Sequence, residues 1–277
     1  MRNFPIKENI RLKNIHSFFK MTCSDTFEFF GETHNFWEML YVVKGSLCVS
    51  ADERIYQLSE GQIIFHKPME LHKFYITDKK GAEILVFSYD AVGSLCSFFE
   101  EKVFMLSSMQ QNLLVDLIRY AEKYAENTDT VYGRYLSAFT SSESYSQTVS
   151  LYIQRLMLSL YESGSILPVL NTDDSSAFAR AVRYMNDNIS ANLSVDEIAD
   201  YMNLSVSSLK RIFSKYAGMG VHKYFLKLKL KNAAELLEKG FSVTSVGDRL
   251  GFSSQGYFTN VFKREIGFLP SQYKKEM

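Results

Sequence analysis

Two groups of side chains in this sequence have the types and spacing for chemistry. The first lies near the C-terminus. Ser207, Ser208, Lys210, Arg211 and Lys215 share the polar face of one short helix, and Ser254, Gln255, Gly256, Tyr257, Asn260 and Lys263 that of another. Lys and Arg donate to guanine, Asn and Gln pair with adenine, and Ser reaches bases or phosphates, so such faces suit a DNA major groove. The second group lies near the N-terminus. Glu32, His34, Phe36, Glu38, Leu40 and Val42 have one parity, hence one face if the strand is extended. A carboxylate aimed into an apolar interior needs a partner or a mouth open to water, and a ligand hydroxyl would serve.

The elements that must position these groups differ between the two ends. Seven short segments, FEFFG, FWEMLYVVKG, SLCVS, RIYQL, QIIFHK, HKFYIT and EILVFSY, are rich in aromatic and β-branched residues and are separated by turn residues. They read as strands of a sandwich or barrel. From about Gln110 the period becomes helical, with NLLVDLIRYAEKYAE and then SLYIQRLMLSLY. Residues 127–145 carry no clear pattern. Gly164, Pro168 and the polar run 171–176 read as a linker, 163–175. After it everything is helical. Ser194 to Glu197 spells a capping box, and Asn203-Leu204-Ser205 separates two short helices into a helix-turn-helix unit. The unit recurs. Ile198-Ala199 matches Val246-Gly247 at 48 residues, and Leu209, Phe213 and Gly218 match Phe258, Phe262 and Gly267 at 49. Two reading helices in one chain would enter successive major grooves, about 34 Å apart.

Composition bounds the class. The chain has 277 residues, 46% hydrophobic and 22% charged, which is globular. Its longest apolar runs are only a few residues, and MRNFPIKENIRLK has no apolar signal core, so neither a membrane span nor secretion is expected. Cys23, Cys48 and Cys96 are far apart and read as core residues of a cytoplasmic protein. The zero net charge hides an asymmetry: residues 176–277 carry +6 and the rest −6. A basic end beside an acidic one points to a polyanionic partner.

Residues 176–277 resemble the DNA-binding domain of the AraC/XylS family of bacterial transcription regulators. The resemblance runs through LSVDEIADYMNLSVSSLKRIFSKYAG, LKLKNAAELLEKG and VGDRLGFSSQGYFTNVFKREIGFLPSQYK. It implies seven helices with two helix-turn-helix units bridged by a long middle helix. It also implies base contacts from Ser207, Lys210 and Arg211, and from Gln255, Gly256, Tyr257 and Asn260. Gly247 stands where Ala is usual, Gly256 where a contacting side chain is common, and Asn260 where Arg is common. The second unit is therefore expected to read fewer bases and mainly to position the domain.

The front strands resemble a cupin barrel, the usual partner of that domain. ETHNFWEMLYVVKG carries His34, Phe36, Glu38, Val42 and Gly45, and GQIIFHKPMELH carries Gly61, Pro68 and His72. The expected architecture is α+β with two domains: a cupin-like barrel with trailing dimerisation helices (1–162) and an all-α double helix-turn-helix domain (176–277). The resemblance implies a small-molecule site at His34, Phe36, Glu38 and His72, with a saccharide as the first candidate and no cofactor. A metal at Glu32, His34, Glu38 and His72 is the weaker alternative, since Glu32 replaces the first His of metal cupins. It also implies a homodimer through Leu151, Ile153, Leu156, Met157 and Leu160. The expected function is a non-enzymatic promoter-binding regulator, an activator that engages RNA polymerase. The other readings are a metal-dependent enzyme tethered to DNA, or a barrel that binds a protein partner.

Overall fold

The computed structural model describes residues 5–124, 128–130, 133–135, 144–163, 165–167 and 173–276. The seven expected strand segments become β2 (Glu28–Glu32), β3 (Trp37–Lys44), β4 (Ser46–Ala51), β5 (Arg54–Ser59), β6 (Gln62–His66), β7 (His72–Ile76) and β8 (Ala82–Val92). An unexpected strand precedes them. β1 (Arg11–Cys23) pairs antiparallel with β8 along its length. Its first half is dense in Arg, Lys and Asn, and register shifts after Leu12 and Ile15 break its alternation, so no period of two marks it. Short strands β9 (Val103–Met105), β10 (Thr128–Thr130), β11 (Gly133–Tyr135) and β12 (Ser165–Leu167) complete the set among the described residues.

These strands form an eight-stranded sheet, β10-β11-β1-β8-β3-β6-β9-β12, and a four-stranded sheet, β2-β7-β4-β5. No ladder closes the two into a barrel among the described residues, so the expected barrel is corrected to an open two-sheet sandwich. The edge strand β2 is only five residues long, and a register shift after Phe29, near Gly31, bends it away from further pairing. Leu40, Val42, Leu47, Val49, Leu58, Ile64, Ile84 and Val86 fill the space between the sheets. The opposite parity of β3, Trp37, Met39 and Tyr41, packs with Phe87 and Tyr89 beneath α1 (Ser108–Tyr124) and α2 (Tyr145–Ser163). Trp37 thus faces the helices, as expected.

The same packing corrects the expected dimer face. Ile153, Leu156, Met157 and Leu160 are buried in the chain's own core, and only Leu151 of the five is exposed. With Val149 they form a stripe at helical spacing that covers the outer face of the large sheet. The strong apolarity of α2 is satisfied inside one chain, and Leu151, Leu158 and Tyr161 are what it leaves outside. The expected linker is also shorter. α2 extends through Ser163, β12 occupies 165–167, and α3 begins at Asp173; residues 164 and 168–172 lie outside the described residues. Of the unassigned segment 127–145, the described parts are β10, β11 and the start of α2.

The C-terminal domain has the seven helices that the resemblance implies: α3 (Asp173–Asp187), α4 (Val195–Tyr201), α5 (Val206–Ala217), α6 (Val221–Glu238), α7 (Val243–Arg249), α8 (Gln255–Ile266) and α9 (Pro270–Glu276). Ser194, Ser205, Ser242 and Ser254 cap α4, α5, α7 and α8 by accepting the third backbone N–H of each helix. Ser194 and Glu197 complete the capping box. The duplication extends to backbone geometry: the two inter-helix turns place Asn203 (φ 53°) and Gly251 (φ 64°) in left-handed conformation. Asn tolerates that region. At 251 only glycine fits, because a Cβ there would stand 1.8 Å from Ser190 O.

The domains share cores. Phe178, Leu209, Phe213, Tyr216 and Tyr224 of the first unit cluster with Cys48, Ile55 and Leu71 of the sandwich. Met69 joins Phe258, Val261 and Phe262 of the second. The layers therefore run from α1 and α2, through the large sheet and the small sheet, to the first helix-turn-helix unit.

Candidate functional site

α5 is amphipathic, so burying Leu209, Ile212, Phe213 and Tyr216 leaves Ser207, Lys210, Arg211 and Lys215 exposed and Ser208 half-buried. α8 buries Phe258, Val261 and Phe262 and exposes Gly256, Tyr257, Asn260 and Lys263. Both expected polar faces are thus presented together. Three of their members also hold the local fold. Ser254 Oγ is the α8 cap, accepting from Tyr257 N at 3.1 Å. Ser208 Oγ accepts from Ser205 Oγ at 2.9 Å. Gln255 turns back onto α7, donating to Thr244 O at 3.0 Å. Gly247 makes room for it: a Cβ at 247 would stand 2.6 Å from Gln255 Nε2. The glycine in place of Ala and the tethered Gln255 are one arrangement, which leaves Tyr257 and Asn260 as the free polar side chains at the front of α8.

The second expected group assembles differently from the expectation of one strand. β2 ends at Glu32, a loop carries His34 and Phe36, and β3 starts at Trp37. Glu38 comes from the large sheet, Glu32 and His72 from the small one, so the group sits where the sheets meet. One donor atom each of Glu32, His34, Glu38 and His72 lies within 4.8 Å of all the others. His72 Nε2 is 3.3 Å from Glu38 Oε1 and 3.8 Å from Glu32 Oε1. His34 Nε2 is 3.8 Å from both carboxylates. Phe36 stacks on His34 with ring centroids 3.8 Å apart. Thus all four expected ligand-site residues meet in space.

Electrostatics at the cluster follow from burial and mutual contact. Burial alone would raise the Glu38 carboxyl, but the hydrogen bond and charge of His72 outweigh it and hold it at about 2. Burial alone would lower His72, and Glu38 more than offsets that, to about 9. His34 is pushed down to about 4, chiefly by burial and secondly by His72. At neutral pH the cluster therefore contains one tight imidazolium–carboxylate pair and one neutral imidazole. Beside it, His66 Nδ1 and Glu70 Oε2 bond at 2.6 Å in full burial, with the His66 ring stacked 4.2 Å from His72.

Sequence reasoning missed the joint between the domains. Lys73, next to His72 on β7 and on the opposite face, is almost fully buried. Its ammonium donates to Ser214 O at 2.9 Å and Lys215 O at 2.7 Å, and pairs with the Glu28 carboxylate. These carbonyls belong to the last turn of α5, where a cation also meets the negative end of the helix dipole. Ser50 donates to Tyr216 O, and Lys231 of α6 pairs with Asp52. Gly31 and Gly218 sit at the closest approach, a Cβ at 218 falling 2.2 Å from Phe30 O. No local pattern distinguishes a buried Lys from the many solvated ones, so nothing in the sequence marks this contact.

Comparison with known proteins agrees with both halves. An AraC-like ligand binding domain matches residues 14–94, and a helix-turn-helix domain matches residues 198–276. An uncharacterized HTH-type transcriptional regulator of Bacillus subtilis, YfiF, is 25% identical over 252 residues, covering 87% of this chain and 77% of its own. The HTH-type transcriptional activator RhaS of an Enterobacter species is 24% identical over 256 residues, covering 87% and 86%. The raffinose operon transcriptional regulatory protein RafR of Pediococcus pentosaceus is 30% identical over 109 residues, 39% of each chain. No helix among the described residues is long and apolar enough to cross a membrane.

Proposed function

Since this chain is an AraC-type DNA-binding transcription regulator with a ligand-binding domain, we propose that α5 and α8 read promoter DNA in the cytoplasm under control of a small molecule held at His34, Phe36, Glu38 and His72. One observation carries the DNA part. Two duplicated units, each capped by serines, present exposed polar faces from corresponding helices. Activation through RNA polymerase is the output we assign, in line with the relative named as an activator. A saccharide is the effector class, in line with the relative named for a raffinose operon. The cluster's carboxylates and imidazoles supply the acceptors and donors that hydroxyl groups need.

Control passes through β7. His72 lies in the cluster, and Lys73, one residue on, holds the end of the first reading helix. A ligand that shifts β7 changes the hold on α5, and it can shift the equilibrium only by its differential affinity for the two arrangements. The dimer we assign uses the apolar residues α2 leaves exposed, Leu151, Leu158 and Tyr161. Leu158→Glu is expected to lower the mass seen in light scattering while the fold persists; an unchanged mass would place the interface elsewhere.

The DNA-reading assignment is tested by anisotropy titration on the chain's own promoter. Arg211→Ala is expected to weaken binding by about 1–3 kcal/mol and to relax preference at one base pair. Asn260→Ala is expected to cost less, because Gln255 is tied back and the second unit reads fewer bases. A larger loss for Asn260→Ala would reverse that ranking. Equal losses on random and promoter DNA would reduce Arg211 to a phosphate contact.

A further inference from the structure

The geometry points to a binding site for one divalent transition-metal ion, ligated by His34 Nε2, His72 Nε2 and the carboxylates of Glu32 and Glu38. This rests on the same cluster as the effector proposal but needs no saccharide.

The spacing suits an ion. Metal–nitrogen and metal–oxygen bonds of about 2.0–2.2 Å put the corners of a tetrahedral site about 3.3–3.6 Å apart. Four of the donor separations here are 3.3, 3.8, 3.8 and 3.8 Å. All four donor atoms lie within 4.8 Å of one another, so inward movement of up to about an ångström closes the shell, and the Glu32 side chain, half-exposed at the rim, has freedom to make it.

The rings are already set for ligation. His34 Nδ1 lies 3.0 Å from Phe36 O, and His72 Nδ1 lies 3.2 Å from Glu70 O. A carbonyl only accepts, so each Nδ1 carries a hydrogen and donates it. In the neutral ring the lone pair is then on Nε2, and both Nε2 atoms point into the cluster. His34 Nε2 is buried without a hydrogen-bond partner, while His72 Nε2 faces Glu38 Oε1 at 3.3 Å and gives up its proton when an ion enters. A buried polar atom without a partner costs about 1–3 kcal/mol, and a metal ion would satisfy His34 Nε2 and take the place of the His72 proton. Backbone carbonyls behind the rings fix tautomer and orientation, as outer-shell partners of metal-bound histidines do. Glu38 is held likewise, with Ser88 donating to Oε2 at 2.8 Å while Oε1 faces His72.

The donor set narrows the ion. Two imidazoles and two carboxylates suit Zn²⁺, Fe²⁺ or Mn²⁺, whereas Mg²⁺ and Ca²⁺ favour oxygen alone. No thiol belongs to the group. The half-exposed Glu32 gives an ion its way in, and the buried His72 and Glu38 keep it from bulk water.

The test uses the full-length protein, stripped with EDTA, dialysed, and titrated calorimetrically with Zn²⁺. The expected result is one equivalent bound with a sub-micromolar dissociation constant, and an X-ray absorption spectrum with imidazole nitrogen and oxygen ligands and no sulfur. Mg²⁺ at equal concentration is expected to give no binding. Glu32→Gln, at the exposed rim, is expected to leave the melting curve unchanged and to weaken Zn²⁺ by tenfold or more. His34→Gln is expected to weaken it further, and His222→Gln, on the surface of α6, not at all. Absence of a stoichiometric Zn²⁺ site, or wild-type affinity in both Glu32→Gln and His34→Gln, would overturn the inference. Promoter titrations of the same metal-free protein report on the DNA-reading assignment separately, so failure of one is not failure of the other.

Discussion

Leu156→Glu is expected to unfold the N-terminal domain rather than to split a dimer. Leu156 is fully buried between α2 and the large sheet, in a core with Phe87, Tyr89 and Leu117. Truncating such a leucine to alanine typically costs about 2–5 kcal/mol through lost transfer energy and the cavity left behind. Glutamate adds the burial of a carboxyl among groups that cannot pair with it, and its ionised form is costlier still. The sum is comparable with the whole stability of an ordinary domain, about 5–15 kcal/mol. Loss of near-UV circular dichroism and of a cooperative melt of the front half is the expected result. Leu151→Glu, on the exposed side of the same helix, is expected to leave the sandwich folded and, like Leu158→Glu, to act on the dimer. A Leu156→Glu protein that melts like the wild type, at half the mass, would place the Leu156 face of α2, not only its exposed side, at the subunit interface.

This contrast marks where sequence patterns stop being informative. The seven strand segments were legible because aromatic and β-branched runs alternate between turn residues, and both sheet faces follow from parity along β3. The two helix-turn-helix units were legible twice over, from their caps and from their repeat. What the apolarity of α2 could not reveal is which surface it covers. A stripe of Val149, Ile153, Leu156 and Leu160 has the same period whether it meets its own sheet or a second subunit. β1 escaped because its charges sit on an outward edge and its bulges break the alternation. The cupin resemblance named all four residues of the polar cluster, but the local pattern alone gave only half of it. His34 and Glu38 lie close in sequence, whereas the pairing of Glu32 with His72 across β2 and β7 is a long-range register that only the folded sheet provides. The tether of Gln255 was hidden in the same way, since it depends on an absent Cβ eight residues earlier, at Gly247. Lys73 was not legible at all, because its partners are backbone carbonyls some 140 residues away, and carbonyls have no sequence signature.

Lys73→Met is expected to free the DNA-binding domain from the sandwich and to raise promoter affinity in the absence of any effector. Methionine keeps much of the side chain's length and its apolar stem but removes every hydrogen bond the ammonium makes. Two carbonyls of the last α5 turn, Ser214 and Lys215, would lose their shared donor at a buried joint, and Glu28 would lose its cation. A buried acceptor left unsatisfied costs about 1–3 kcal/mol, so the docked arrangement should lose about 2–3 kcal/mol relative to the released one. Ser50 and the Lys231–Asp52 pair remain, so the loss is of tightness, not of the fold of either half. Docking restrains the first reading helix against an acidic partner domain, and a restraint worth about 2 kcal/mol can hold promoter affinity down by roughly thirtyfold. The expected result is therefore a tighter promoter complex, faster proteolysis between residues 163 and 173, and an unchanged melt of the sandwich. Promoter affinity equal to the wild type, with the same proteolytic resistance, would show that the Lys73 joint does not restrain the reading helix. Weaker binding would reverse its sign, making docking the arrangement that reads DNA.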